Sequence, residues 1–317
     1  MRPAPRTPTP APAAAPPAPS HWRRGAIPLA LALALGAAPL RAEPTPPAAW
    51  GPLTLLGRHI SPGEREKLTF DLLPSFAASF LDTVVVVLRG RTAGPMLCVT
   101  AGVHGDELNG VEIARRVVAE TDPQQLAGTL IVVPVVNAAG FRAGRRDLPD
   151  GRDLNRAFPG SASGGSAARM AHALFAPVIR PCDALVDLHA GSPARLALPQ
   201  IRTDLSNPEA LALARAFGAA VVLDGAGPPG SLRRAALDTG VPAVVYVAGA
   251  PRRFEADEIT LGTQGIRRVM AHLGMLAREP APPAATVYRH ARWVRVPSPA
   301  GALPSSPPPL EIGRAHV

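Results

Sequence analysis

Polar and apolar positions along this chain fall into two alternating periods. Residues 83–88, 96–101, 129–136 and 184–188 are short, nearly uninterrupted apolar runs, the pattern of strands covered on both faces. Residues 53–90 hold two or three strand-like runs, of which 83–88 is the clearest. Over 107–121 the period changes to helical, with Val111, Ala114, Val117 and Val118 on one face. Further helices are predicted over 167–179, 208–217, 231–238 and 255–276, with strands over 220–223 and 241–247. Residues 138–165 read as one long polar, Gly-rich loop, and loops of that length in compact domains are usually functional. Strands alternating with helices predict an α/β protein with a mostly parallel or mixed sheet covered on both faces. Ligands in such folds gather at the carboxyl ends of strands.

The termini lack this periodicity. Residues 1–20 are almost entirely Pro, Ala, Thr and Arg and cannot bury a core. Residues 21–42 follow with His21-Trp22-Arg23-Arg24, a short Ala/Leu run and an Ala-rich exit, which is how a secretory signal peptide reads. An uncleaved N-terminal anchor is the alternative, and the only membrane contact expected. The chain therefore divides into a leader over 1–42, a catalytic-type domain over 43–283 and a C-terminal segment over 284–317, with a periplasmic or secreted location expected. Residues 311–317 can be encoded by DNA containing a widely used sequencing-adapter string, so a non-native tail is expected there and His316 is set aside as a ligand.

Composition changes this picture little. The formal net charge of +9 comes almost wholly from arginine, Lys67 being the sole lysine, and no basic run is interleaved with aromatics. Nucleic acid is therefore not an expected partner. The two cysteines, Cys98 and Cys182, lie in apolar surroundings and read as buried free thiols. A single bridge is the alternative in an oxidising compartment.

The candidate chemistry sits at predicted strand ends. His104 and Glu107, three apart at a strand-to-helix turn, and His189, closing the run after Asp187, have the residue types and placement of a mononuclear zinc site with an open position. The long loop contains Arg152-Asp153-Leu154-Asn155-Arg156-Ala157-Phe158-Pro159-Gly160. Arg156 offers a planar fork for a substrate carboxylate, Asn155 can orient the same group, and Arg146 can polarise a carbonyl.

These segments, with 137–160, 187–192 and 241–276, resemble the succinylglutamate desuccinylase/aspartoacylase family, relatives of the zinc carboxypeptidases. The resemblance covers residues 53–276, and it implies that 284–317 holds the start of a truncated C-terminal β module. It implies a three-layer α/β/α sandwich and one Zn2+ held by His104, Glu107 and His189. The activity implied is hydrolysis of the amide in N-acyl amino acids. It assigns Asn155 and Arg156 to the substrate carboxylate and Arg146 to the scissile carbonyl.

One position departs from the pattern. Where the family resembles Pro-Ala-x-x-x-Glu-x-Gly, with the Glu as general base, this chain has Val247. Glu255, Asp257 and Glu258 follow closely and read as the acidic first turn of the last helix, with substitution as base the less favoured reading. Three functions stay open: an impaired zinc deacylase, an inactive zinc-containing protein that binds a carboxylated ligand, and a periplasmic metallocarboxypeptidase acting on short peptides.

Overall fold

Eleven strands and six helices follow one another in the described chain: β1 (Leu53–Leu55), β2 (Arg58–Ile60), β3 (Arg65–Asp71), β4 (Asp82–Arg89), β5 (Thr92–Ala101), α1 (Leu108–Glu120), β6 (Ala127–Val133), α2 (Ala138–Ala143), α3 (Ser166–Leu174), β7 (Ala184–His189), β8 (Ala197–Thr203), α4 (Pro208–Phe217), β9 (Val221–Asp224), α5 (Leu232–Asp238), β10 (Ala243–Gly249), α6 (Ala256–His272) and β11 (Thr286–Tyr288). The structure, a computed structural model, describes residues 50–71, 82–192, 195–277 and 279–289. The expected leader over 1–42 and residues 290–317 of the expected C-terminal segment lie outside these residues.

Nine strands form one mixed sheet in the order β11-β9-β8-β10-β7-β5-β6-β4-β3, and β1 and β2 pair separately. β10, β7, β5 and β6 run parallel through the middle, and β8 and β4 enter antiparallel on either side. Every residue of β7 is buried, as its uninterrupted apolar run anticipates. Alternate residues of each central strand feed two cores, one per face. Val99, Val186, Leu188, Val244 and Tyr246 pack with α1, α4 and α6. Cys98, Ile131, Leu185 and Ala243 pack with α3, α5 and the loop residues Leu154 and Phe158. The mixed sheet covered on both faces that the periodicity predicts, and the α/β/α sandwich that the resemblance implies, are the observed architecture. No helix among the described residues is long and apolar enough to cross a membrane.

Four expectations change. The stripe on α1 is centred on Ile113, Ala114 and Val117, with Val111 and Val118 only half-buried. The predicted helix over 167–179 ends as α3 at Leu174 and continues as a wider π-type turn over Phe175–Ile179, where Pro177 supplies no backbone N–H. The segment read as one long loop contains α2 and a 3-10 turn at Leu154–Arg156. Asn137 and Asp153 start these turns by accepting the backbone N–H groups of Gly140 and Asn155, a local bond that apolar periodicity does not report.

The fourth change is that Cys98 and Cys182 are not free thiols but a disulfide, with Cα atoms 6.0 Å apart. The cysteines stand 84 residues apart in the chain. The parallel pairing of β5 with β7 closes that gap, setting Cys98 opposite Leu185 while Asp183 N donates to Met96 O.

Candidate metal centre and pocket

Three buried side chains converge at the carboxyl ends of β5 and β7. After Ala101 the chain turns through Gly102, whose φ of +60° is in the left-handed region that favours glycine. At Gly105 an added Cβ would fall 2.1 Å from the backbone of Gly140 and Phe141, so only glycine allows the turn to lie against α2. This turn delivers His104, and Glu107 follows at the N-cap position of α1. On β7, Asp187 and His189 are two residues apart and so share the face that Leu185 packs.

His104 Nδ1 lies 2.9 Å from Glu107 Oε1, His189 Nδ1 lies 2.7 Å from Glu107 Oε2, and the two Nδ1 atoms are 3.2 Å apart. All three residues are at most 6% exposed. Ligands of one tetrahedral ion at about 2.0–2.1 Å stand about 3 Å from one another, so this triangle has the dimensions of a three-donor metal site. The groups behind it fit as well. His189 Nε2 meets Asp187 Oδ2 at 2.8 Å, and His104 Nε2 meets Asp153 Oδ1 at 3.1 Å. Asp187 is held in turn by Thr100 Oγ1 at 2.7 Å, and Ala190 N donates to Glu107 Oε2 at 3.1 Å. Each imidazole thus aims one nitrogen at the common point while a carboxylate fixes the other, the arrangement that orients metal-binding histidines.

Electrostatics carry the same sign. Burial alone would lower the His189 imidazole, but the Asp187 and Glu107 carboxylates outweigh it and hold it at about 10. Burial likewise opposes charge on His104, and Glu107 and Asp153 raise it above its ordinary value. Against its own burial, Glu107 is held below the usual carboxylate range by His189 and His104. Asp153, also against burial, is lowered by its hydrogen bond with His104. Two imidazoles and a carboxylate focused on one point form a donor set that could hold a dication.

The triangle opens into a pocket of ≈ 790 Å³. Arg146 lines it and donates from Nη1 to Glu107 Oε1 at 3.0 Å. Asn155 and Arg156 line it from the 3-10 turn. Asn155 Oδ1 accepts from Leu232 N at 2.8 Å, leaving the amide nitrogen to donate. His104, Glu107, His189, Arg146, Asn155 and Arg156 thus border one cavity. Val247 borders it too, opposite His189 in the β10–β7 register.

Glu255, Asp257 and Glu258 are absent from the lining. Glu255 Oε2 accepts from Asn109 Nδ2 and from Ala250 N, both at 2.8 Å, which ties it to α1 and to the end of β10. Asp257 and Glu258 form the acidic first turn of α6, as read from the sequence, and Glu255 is its N-cap residue.

Several site residues escaped the sequence reading. Asp153 lies inside the motif that includes Asn155, and the two-residue strand period places Asp187 beside His189, so both left a usable signal. Gln200 and Arg202 of β8 and Arg233 of α5 left little. β8 contains Pro199 and has no clean apolar alternation, and Arg233 sits next to a second arginine, Arg234, on a short helix. Arg233 is only 7% exposed, and its Nη1 has no hydrogen-bond partner among the described residues.

Comparisons with known proteins agree with this geometry. The family profile described as "Succinylglutamate desuccinylase/Aspartoacylase catalytic domain" matches residues 93–273. The N-alpha-acetyl-L-2,4-diaminobutyric acid deacetylase of Halomonas elongata is 28% identical over 204 residues, covering 62% of this chain. The chain spans 59% of that relative's length. A succinylglutamate desuccinylase/aspartoacylase from Rhodobacter sphaeroides superimposes with a TM-score of 0.64 at 26% identity, covering 71% of each chain. The product-bound ectoine utilization protein EutE (DoeB) from Ruegeria pomeroyi shares the fold, with a TM-score of 0.67 at 24% identity over 76% of each chain.

Proposed function

The chain belongs to the succinylglutamate desuccinylase/aspartoacylase family, and from that premise we propose that it is a zinc-dependent hydrolase of the amide in N-acyl amino acids, slowed by Val247. The observation that carries this reading is the His104–Glu107–His189 triangle with a carboxylate behind each imidazole. Zinc held by these three residues would supply Lewis acidity and a lowered water pKa at an open position.

The chain's own groups divide the remaining work. Asn155 and Arg156 bind the substrate carboxylate from the 3-10 turn. Arg146, steadied by Glu107, donates to the scissile carbonyl as negative charge develops on it. Asp187 and Asp153 keep the imidazoles in the ligand orientation. Val247 presents only methyl groups where a proton acceptor is needed. The carboxylates that line the pocket are engaged, Glu107 and Asp187 with imidazoles and Asp224 with Leu205 N. Proton removal from the attacking water therefore lacks its usual acceptor, a deficit of about a hundredfold to ten-thousandfold.

The same valine favours a second reading, a zinc-containing protein that captures a carboxylated ligand without turning it over. Incubating the zinc-loaded protein with a panel of N-acyl amino acids and short peptides separates the two. Chelator-sensitive release of free amino acid supports the hydrolase, tight binding without release supports the capture protein, and purified protein without zinc sinks both. We place the protein in the periplasm or outside the cell. The Cys98–Cys182 bridge supports an oxidising compartment.

A further inference from the structure

We infer that Asn109 and Glu255 act as one positioning pair for the metal centre, holding the turn that carries Glu107 against the ends of β7 and β10, an inference that rests on reading His104, Glu107 and His189 as metal donors. Asn109 is fully buried in the first turn of α1, two residues after Glu107. Its amide is fully engaged. Nδ2 donates to Ala248 O at 3.2 Å and to Glu255 Oε2 at 2.8 Å, and Oδ1 accepts from Glu255 N at 2.9 Å. One side chain thus joins α1, the end of β10 and the start of α6.

Glu107 and Glu255 are the N-cap residues of α1 and α6, and neither side chain bonds its own helix. An N-cap side chain ordinarily satisfies one of the free N–H groups of its own first turn. Here both carboxylates reach outward instead. Glu107 Oε2 accepts from Ala190 N at 3.1 Å, and Glu255 Oε2 accepts from Ala250 N at 2.8 Å. Between these two points Gly191 N donates to Gly249 O at 2.9 Å. The bonds close a ring that runs from Glu107 through Ala190-Gly191, Gly249-Ala250, Glu255 and Asn109, and back along α1 to Glu107. Two glycines show how closely its members approach. At Gly249, whose φ is +77°, an added Cβ would fall on Glu255 Oε2 and Asn109 Nδ2. At Gly110 it would stand 2.8 Å from Leu188 O, so the first turn of α1 lies directly on β7. The ring also grips β10 just where its register against β8 shifts, between Val247 and Gly249. Removing either partner leaves a buried polar group unpaired and lets the Glu107 turn move relative to His189.

Two measurements on the full chain test this. Hydrogen exchange of the metal-free protein reads the ring without any ion. Asn109→Leu and Glu255→Ala are each expected to speed exchange of the amides at 190–191 and 249–250 about tenfold, with those of β6 unchanged. Competition against a chromogenic chelator reads the donors. The same variants should bind zinc about tenfold more weakly, and the visible spectrum of the cobalt-substituted protein should change. The double variant should be within about twofold of either single one, because the pair acts as a unit. Glu255→Gln keeps an acceptor for both donors and should stay within about threefold of wild type. Glu255→Asp keeps the charge but is one methylene short, and should lose about as much as the alanine variant. Arg267→Ala, which breaks a pair with Glu279 elsewhere on α6, is the control for general loosening.

Unchanged exchange at 190–191 in the folded variants overturns the inference, as does an equal change in Arg267→Ala. Faster exchange with zinc affinity unchanged overturns it too, since the ring would then not reach the donors. If the leucine and alanine variants fail to fold, Glu255→Gln against Glu255→Asp decides, and equal exchange in the two counts against the pair. The underlying reading fails separately. A wild type that binds no zinc overturns the metal centre and leaves the exchange data to judge the ring, whereas a zinc-loaded wild type indifferent to both substitutions overturns the pair alone.

Discussion

Val247 stands directly opposite His189 in the parallel register of β10 on β7, and both side chains border the same pocket. The valine is therefore not displaced from the site by an irregularity in the strand. The register shift of β10 against β8 falls only after Val247, between it and Gly249.

Val247→Glu is expected to raise the turnover of N-acyl amino acids by about a hundredfold to ten-thousandfold with little change in KM. Val247→Gln, of similar size but without a basic oxygen, should give no such gain. Steady-state assays of the three proteins check this, and a wild type already as fast as the Glu variant would show that water is activated by another route.

His104→Ala and Glu107→Ala should each abolish zinc retention, measured by elemental analysis of dialysed protein. Glu107→Ala should also lower the stability of the metal-free protein by about 3–5 kcal/mol, because it leaves two buried imidazoles without the carboxylate between them. Chemical denaturation in the presence of chelator reads that cost.

Asp187→Asn and Asp153→Asn should weaken zinc binding by about tenfold to a hundredfold without eliminating it, since each removes an orienting carboxylate and not a ligand. Competition against a chromogenic chelator gives the affinities. Unchanged affinity in both variants would mean that packing alone orients the rings.

Zinc uptake should release protons and tighten as pH rises. In the metal-free protein the folded pKa of His189, about 10, lies above its ordinary 6.5. The stability this pairing contributes is therefore complete below about pH 6.5 and is lost as pH rises towards 10. Zinc requires the neutral imidazole, so its binding at neutral pH must displace that proton. Calorimetry in buffers of different ionisation enthalpy should show net proton release, and melting curves should show zinc stabilising the protein more at pH 8 than at pH 6.

Reducing the Cys98–Cys182 bridge, or replacing both cysteines with serine, should cost about 4–5 kcal/mol for the loop closed between these positions. Urea unfolding with and without reductant measures it. Zinc content should survive, because Cys98 and Cys182 belong to the core beneath the metal-site face and lie outside the donor set.

The parts of the site visible in the sequence were those written in local spacing. His104 and Glu107 are three residues apart and Asn155 and Arg156 are adjacent, so one turn of chain places each pair together. His189 was visible because it ends an apolar run. Arg202 and Arg233 were not, because neither belongs to one of these local motifs or closes an apolar run. The disulfide was missed for the same reason. Apolar surroundings describe the environment of Cys98 and of Cys182 separately but not their separation.

The sequence by itself determined the candidate donor residues, the alternation of strands with helices and the presence of a valine at position 247. Only the tertiary structure decided which side chains face one another. β8 enters the sheet antiparallel beside β10, and that pairing places Arg202 and Gln200 across Val245 and Val247 from Asp187 and His189. Backbone propensity and hydrophobic period act over a few residues, whereas cross-strand neighbours are set by register between segments far apart in the chain. The metal donors could therefore be read along the chain, and the β8 residues that line the pocket with them only across the sheet.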